Sequence, residues 1–179
     1  NITGCFAMAD RLGIDTKIIV KAIGEFKGLK RRLEKRFEGK VTIFDDIAHS
    51  PEKANSVLEN LRAIYKGKII AIFEPNIGGR SRESAIKYDN AFKSADIVII
   101  PRLTKLKISE KENPMEGLEL ANTIAKTHAN TKYIEDDSEL VKTIINEINS
   151  NDDVIVFLGS HGFRGMIEET ITSLHQQSL

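Results

Sequence analysis

The sequence predicts an α/β domain with a mostly parallel sheet of about six strands and helices on both faces. The main observation is a regular alternation of short apolar runs with amphipathic helical segments, which is the pattern of parallel strands joined by helical crossovers. The composition agrees with this fold class, because 179 residues with 41% hydrophobic and 29% charged side chains suffice for one buried core.

Two amphipathic helices are predicted before the first strand. They cover residues 2–12 and 16–26, and Asp15 stands at the N-cap position of the second helix. The helix-rich part of the sequence ends there, and the alternation of strands and helices begins. We therefore expect a helical segment at 1–27 and a separate α/β domain at 28–179.

The α/β part opens with a segment in which charged and apolar side chains alternate, as they do in a strand at the edge of a sheet. The later strands are apolar throughout, which is typical of strands buried on both faces. The predicted strands cover residues 30–37, 41–46, 68–73, 96–101, 131–135 and 153–159. The predicted helices cover residues 51–65, 83–94, 114–128, 138–149 and 163–175, and Pro51 suits the first turn of its helix.

Charge and cysteine content narrow the classes of function. Lys and Arg together number 26, as do Asp and Glu, so the formal net charge is zero and a nucleic-acid or acidic-membrane partner is not expected. The one cysteine excludes a disulfide within the chain and a cysteine-based zinc site. No apolar run approaches the ~20 residues of a membrane span, and no signal-peptide pattern occurs, so we expect a cytoplasmic domain.

Two adjacent arginines precede the second strand, near the edge of the predicted sheet. Neighbouring side chains on a strand point to opposite faces, so only one of Arg31 and Arg32 can meet a given phosphate. The alternative is a solvated edge strand whose charges discourage pairing with other chains.

Acidic side chains close the second strand, at the end where parallel sheets bind ligands. Asp45 and Asp46 end the strand and His49 follows. A carboxylate in this position can accept a ribose hydroxyl or orient a metal-bound water. The alternative is that one aspartate caps the helix that comes next.

Two loops after other strands also carry candidate chemistry. In residues 74–84, Arg80 and Arg82 follow a glycine pair and are able to clamp a carboxylate or phosphate, whereas the alternative is a mobile loop with solvated arginines. Residues 159–165, GSHGFRG, stand between a strand and a helix, as a phosphate-binding turn does, but lack the Gly-Lys-Ser/Thr of a Walker loop.

Taken together and in order along most of the chain, these residues resemble the C-terminal domain of the Mur ligases, the ATP-dependent enzymes of bacterial peptidoglycan assembly. FKGLKRRLE is similar to the family's F-x-G-x-x-R-R-x-E, and DDIAHSPEKA is similar to its D-D-Y-A-H-H-P-T-E. FEPNIGGRSRES and GSHGFRG fall where the family has an Arg-bearing loop and a glycine turn. Asn1 is similar to the second Asn of the family's H-N-x-x-N segment in the central ATP-binding domain, so we expect the chain to be a piece of a longer protein.

The resemblance implies a Rossmann-like fold and an ADP-forming ligation, in which a muramyl carboxylate becomes an acyl phosphate that an amine attacks. It implies that Asn1, Arg32 and Asp46 bind ATP. It also implies that Asp46 and His49 take part in catalysis. We expect the side chains of Arg32 and Asp46 to lie outside the core, so that replacing them leaves the fold intact.

The substrates implied are UDP-N-acetylmuramate and either L-alanine or an L-alanine-led tripeptide, for wall synthesis or recycling. His49, Arg80 and Arg82 are the implied substrate-binding residues, with Arg80 favoured for the acceptor carboxylate. The sequence departs from the family at three nearby positions, so the acceptor stays open. They are Ile47, Ser50 and Asn76.

The resemblance further implies that the Walker loop and most Mg²⁺ ligands belong to the central domain, against which this domain packs and swings as a lid. The isolated chain is therefore expected to be inactive. The alternative is a stand-alone nucleotide- or protein-binding α/β module without catalysis, which would share the fold.

Overall fold

The described residues form one sheet of six strands, which is mostly parallel, as predicted. The computed structural model describes residues 2–105 and 113–176, and the strand order is β1-β2-β6-β3-β4-β5. β1 and β2 pair in antiparallel fashion, and the other four pairs of neighbouring strands in this order are parallel. The strands are β1 Glu34–Glu38, β2 Thr42–Asp46, β3 Ile69–Glu74, β4 Ile97–Pro101, β5 Thr131–Ile134 and β6 Val154–Gly159.

Helices cover both faces of the sheet, again as predicted. On one face α3 Pro51–Ile64 and α4 Gly117–Ala125 share a core with Ile69, Ala71 and Phe73 of β3. The intervening residues of β3, Ile70 and Ile72, point to the opposite core, which contains α5 Asp137–Glu147 and α6 Met166–Gln176. Every residue of β3 and β6 is buried, which explains their continuous apolar sequences.

The segment predicted as a helix over 83–94 is different. It forms a 3₁₀ helix, Arg82–Tyr88, followed by turns. Ser81 caps it by accepting the N–H of Ser84 at 3.2 Å, and Asn90 has a φ of 54°, which ends any helical continuation. The apolar side chains of this segment nevertheless face the core, since Tyr88 and Phe92 are buried.

The edge strand starts later than the pattern indicates. Residues 30–33 form a turn in which Arg31 and Leu33 have φ values of 54° and 49°, and β1 begins only at Glu34. Hydrogen bonding explains this turn, since the N–H groups of Arg31 and Leu33 both bind carboxylates, at 2.8 and 2.7 Å.

The first 30 residues form a compact unit of their own, distinct from residues 31–179. It contains α1 Ile2–Arg11 and α2 Thr16–Glu25, and the side chain of Asp15 caps α2 by accepting the N–H of Lys17 at 2.7 Å, as predicted. An apolar groove of about 480 Å³ lies within this unit. That the unit is the tail of a central domain stays a prediction, and Asn1 lies outside the described residues.

The predicted loop at 102–113 falls partly outside the described residues, because these exclude 106–112. None of the helices in the described part of the chain is both long enough and apolar enough to cross a membrane.

Candidate functional site

The carboxyl ends of the parallel strands bring several of the predicted site residues to one edge of the sheet. The strand register pairs Asp46 of β2 with Leu158 of β6, and Glu74 of β3 with Gly159 of β6. The loops that carry His49, Arg80 and the glycine turn at 159–165 therefore leave the sheet from neighbouring positions, as expected for a ligand site in a parallel sheet.

Arg31 ties this edge together. Its guanidinium donates to the main-chain carbonyls of Gly159, Ser160 and His161, at 2.6, 2.9 and 2.8 Å. Its Nε donates to the carboxylate of Asp45 at 3.3 Å. One arginine thus connects the turn before β1, the end of β2 and the loop after β6, which is possible because the guanidinium fork carries five N–H donors.

Arg32 is exposed and makes no hydrogen bond or ion pair with the residues that the structure describes. Both of its neighbours are fixed, Arg31 by the contacts above and Leu33 by its N–H to Asp46 at 2.7 Å. The two side chains do differ in direction, but the predicted reason is wrong, because Arg31 and Arg32 lie in a turn with positive φ values and not on a strand. Which of them meets a phosphate stays a prediction.

Asp45 is buried between two arginines, with its side chain 3% exposed. Arg31 lies 3.3 Å away and Arg36 lies 3.5 Å away. Burial raises the pKa of this carboxyl above its ordinary value, and the two arginines oppose that rise. The arginines therefore compensate a charge that is costly to bury.

The side chain of Asp46 is buried, so the expectation that it lies outside the core is wrong. It is 8% exposed, and its two oxygens accept the N–H groups of Leu33 and Ala48, both at 2.7 Å. The sequence pattern did not show this, because the partners are main-chain groups. By binding Leu33, Asp46 fixes the turn that contains Arg32. The role in catalysis that the resemblance implies for Asp46 stays a prediction.

His49 is half-buried at the start of α3. Its Nδ1 lies 2.7 Å from the carbonyl of Ile47, and because a carbonyl oxygen only accepts, Nδ1 carries the proton. In the neutral ring Nε2 is then an acceptor, 3.4 Å from Nζ of Lys53. The helix cap weighed for the aspartates belongs to Ser50 instead, whose hydroxyl accepts the N–H of Lys53 at 3.5 Å.

The two arginines of the 74–84 loop have different surroundings. Arg80 is 3% exposed and donates from Nε, Nη1 and Nη2 to the carbonyls of Met115 and Thr104 and to Glu116, at 3.2, 3.2 and 3.1 Å. Arg82 is exposed and pairs with Glu119. Arg80 thus connects the segments on either side of residues 106–112, and within the described residues one N–H on each Nη nitrogen has no partner.

The sequence places Glu74 at the start of the 74–84 loop, where Arg80 and Arg82 were the residues assigned a role. Glu74 is 1% exposed, and its Oε1 accepts the N–H of Thr104 at 2.7 Å. His161 and Arg164, from the glycine turn, approach it to 3.9 and 3.6 Å. A buried carboxylate at the end of an otherwise apolar strand is the signal that points to it.

Asp137 joins the glycine turn to the end of β4. Arg164 donates to it from Nε and Nη2 at 2.8 and 2.9 Å, and Arg102 donates at 3.2 Å. The hydrogen bonds from Arg164, and then the charges of both arginines, lower the pKa of Asp137.

Replacing Asp137 with asparagine is expected to destabilise the chain at neutral pH. A carboxylate whose pKa is lowered by folding adds stability above its ordinary pKa, and this contribution disappears as the pH falls through the folded value. Urea unfolding should therefore show a gap between Asp137→Asn and the unsubstituted chain that narrows at acid pH. The exposed Glu135→Gln is the matched control, and a gap independent of pH would contradict the assignment.

Among the described residues, no three His, Cys, Asp or Glu side chains are grouped so that they could hold a metal ion.

Comparison with known proteins identifies a family and several relatives that this chain is similar to. Residues 31–161 match the profile of the family described as "Mur ligase, glutamate ligase domain". A UDP-N-acetylmuramate–L-alanine ligase of Pelagibacter ubique is 37% identical over 155 residues, covering 83% of this chain and 32% of that protein. The chain spans about a third of the length of the curated relatives it matches.

Solved structures agree on the fold. A UDP-N-acetylmuramate-alanine ligase from Thermotoga maritima has a TM-score of 0.74 at 22% identity, over 96% of this chain and 36% of that one. The MurF ligase of Thermotoga maritima in complex with ADP has a TM-score of 0.67 at 18% identity, over 97% of this chain and 37% of that one. Both likenesses support a Rossmann-like α/β domain.

Proposed function

Because this chain belongs to the Mur ligase family through its glutamate ligase domain, we propose that it is the C-terminal domain of an ATP-dependent ligase that joins L-alanine to UDP-N-acetylmuramate. The observation that carries this proposal is the 37% identity to an L-alanine ligase over most of the chain. The longer protein would supply the remaining two thirds of the enzyme, including the central domain against which this one packs. We place the reaction in the cytoplasm.

Arg32 is the residue we assign to the nucleotide. ATP, when bound, supplies the phosphoryl group that activates the muramyl carboxylate. A phosphate needs a cation that is free to meet it, and Arg32 is exposed on a turn fixed from both sides. Asp46 would act on ATP through this turn, by positioning Arg32. Asn1 and the Mg²⁺ ligands belong in this proposal to the central domain, and the solved relative with ADP supports a nucleotide site in this family.

The acceptor would meet the loops after β2 and β3. His49 presents Nε2, an acceptor, beside Lys53, and this pair suits a contact with substrate. We assign to the acceptor carboxylate the two N–H donors of Arg80 that have no partner among the described residues, while its three other bonds hold it in place. Arg82 is the second choice, because its pairing with Glu119 is exposed and contributes little.

Ligation by the full-length protein tests the proposal. With ATP, Mg²⁺ and UDP-N-acetylmuramate, we expect phosphate release that depends on L-alanine and is weaker with an L-alanine-led tripeptide. The 179-residue chain alone is expected to give no turnover, since residues outside it would supply most of the ATP site. A full-length protein that binds ATP but ligates neither acceptor would instead favour the binding-module alternative.

A further inference from the structure

Glu74 is the most deeply buried carboxylate at the carboxyl edge of the sheet. It ends β3, which lies between β6 and β4, and it is 1% exposed. Gly159 of β6 lies directly beside it, and a Cβ at that glycine would come within 2.8 Å of the Glu74 carbonyl oxygen and 3.3 Å of its Cβ. The glycine therefore allows the end of β6 to lie against Glu74.

The two carboxylate oxygens of Glu74 have unequal surroundings. Oε1 accepts the N–H of Thr104 at 2.7 Å. Oε2 is buried and accepts no hydrogen bond from any residue that the structure describes. Arg164 is 3.6 Å from it, but its hydrogen bonds go to Asp137. Oε2 is thus compensated in charge but lacks a donor, which is costly for a buried acceptor.

Thr104 connects the Glu74 carboxylate to the guanidinium of Arg80. Its N–H binds Glu74, and its carbonyl accepts from Nη1 of Arg80 at 3.2 Å. A carboxylate and a guanidinium are therefore held on two sides of a single residue. An amino acid carries the complementary pair, an ammonium and a carboxylate on one carbon, and the ammonium brings the N–H donors that Oε2 lacks.

We propose that Glu74 binds the α-ammonium group of the acceptor amino acid and takes up the proton that the amine must lose before it attacks. This inference rests on the proposed ligase function. The carboxylate accepts one proton and leaves a neutral amine, whose lone pair forms the C–N bond with the acyl phosphate. The C–O bond to phosphate breaks, phosphate departs with the electron pair, and it takes the second amine proton as the amide forms.

His161 is a partly exposed neighbour of Glu74. Its Nδ1 is 3.9 Å from Oε1, which is beyond hydrogen-bond distance, and its side chain is 37% exposed. His161 and Arg164 are the titratable and charged groups that face Glu74 among the described residues.

Two nucleophiles separate this role from a structural one in the full-length ligase. Glu74→Gln keeps the shape and the bond from Thr104 but removes the charge. With L-alanine, loss of a general base is expected to lower kcat/KM by about a hundredfold or more. Hydroxylamine is mostly neutral at neutral pH and needs no base, so hydroxamate formation from the acyl phosphate should be unchanged. The KM for ATP should also be unchanged, and Glu59→Gln, an exposed carboxylate on α3, should alter neither reaction.

Equal loss with both nucleophiles, or normal turnover with L-alanine, would overturn the role of Glu74 and leave the proposed function standing. If Glu74→Gln lowers the melting temperature, Glu74→Asp carries the test: it keeps the charge but withdraws it, so a loss confined to L-alanine is still expected. If the unsubstituted enzyme ligates no acceptor, the proposed function fails and the role of Glu74 fails with it.

Discussion

Arg31→Ala is expected to lower the free energy of unfolding of this chain by about 3 kcal/mol, the lower end of the range for removing one partner of a buried ion pair. The substitution leaves Asp45, 3% exposed, without its nearest cation, and it strips donors from the carbonyls of residues 159–161. The lower end applies because Arg36 stays 3.5 Å from Asp45. Urea unfolding followed by circular dichroism measures the change.

Arg32→Ala is the matched control for stability, because it removes the same side chain one residue further on. Arg32 is exposed and unpartnered among the described residues, so its loss should change stability by less than about 0.5 kcal/mol. Arg31→Lys should recover little, since one ammonium cannot reproduce a planar fork that serves a carboxylate and three carbonyls. Equal stability of Arg31→Ala and Arg32→Ala would show that the network around Arg31 contributes nothing.

The predictable part of this fold is the part in which apolar periodicity decides the structure. The four buried strands, β2, β3, β4 and β6, lie within one residue of their predicted bounds because apolar side chains predominate in them up to the strand end. The start of the edge strand and the segment at 83–94 do not, because main-chain hydrogen bonds and positive φ values decide there, at Arg31, Leu33 and Asn90. Periodicity carries no information about either.

The same division holds for the candidate site. The sequence placed chemistry at the strand ends, since polar residues interrupt apolar runs there. It could not tell which of Arg31 and Arg32 turns inward, because both lie in one charged run. It also treated Asp46 as exposed, although both oxygens bind main-chain N–H groups across the turn. Burial of a charged side chain depends on partners distant in sequence, such as the 128 residues that separate Arg31 from Gly159.

Neighbouring residues at the turn before β1 have different roles. Contacts within the domain occupy the side chains of Asp45, Asp46 and Arg31. These contacts stabilise the turn at residues 30–33 and the glycine turn at 159–165. Arg32 is exposed on the same turn, and its donors have no partner in the part of the chain that the structure describes. A guanidinium that is carried on a fixed main-chain turn and has no partner among the described residues is suited to meet negative charge on a phosphate.

Arg32→Ala in the full-length ligase is accordingly expected to lower kcat by about a hundredfold or more, the scale of losing one preorganised donor to a charged transition state. The melting temperature should stay unchanged, because Arg32 is exposed and makes no hydrogen bond or ion pair with the described residues. Arg32→Lys should recover part of the activity, since it restores the charge but not the fork. Lys35→Ala is the matched control, an exposed cation nearby that pairs with Glu38 at 2.8 Å, and it should leave kcat unchanged. Phosphate release at saturating ATP, UDP-N-acetylmuramate and L-alanine measures these rates. Normal turnover by Arg32→Ala would contradict the assignment of Arg32 to the nucleotide. Equal losses of kcat for Arg32→Ala and Lys35→Ala would show that Arg32 contributes only surface charge.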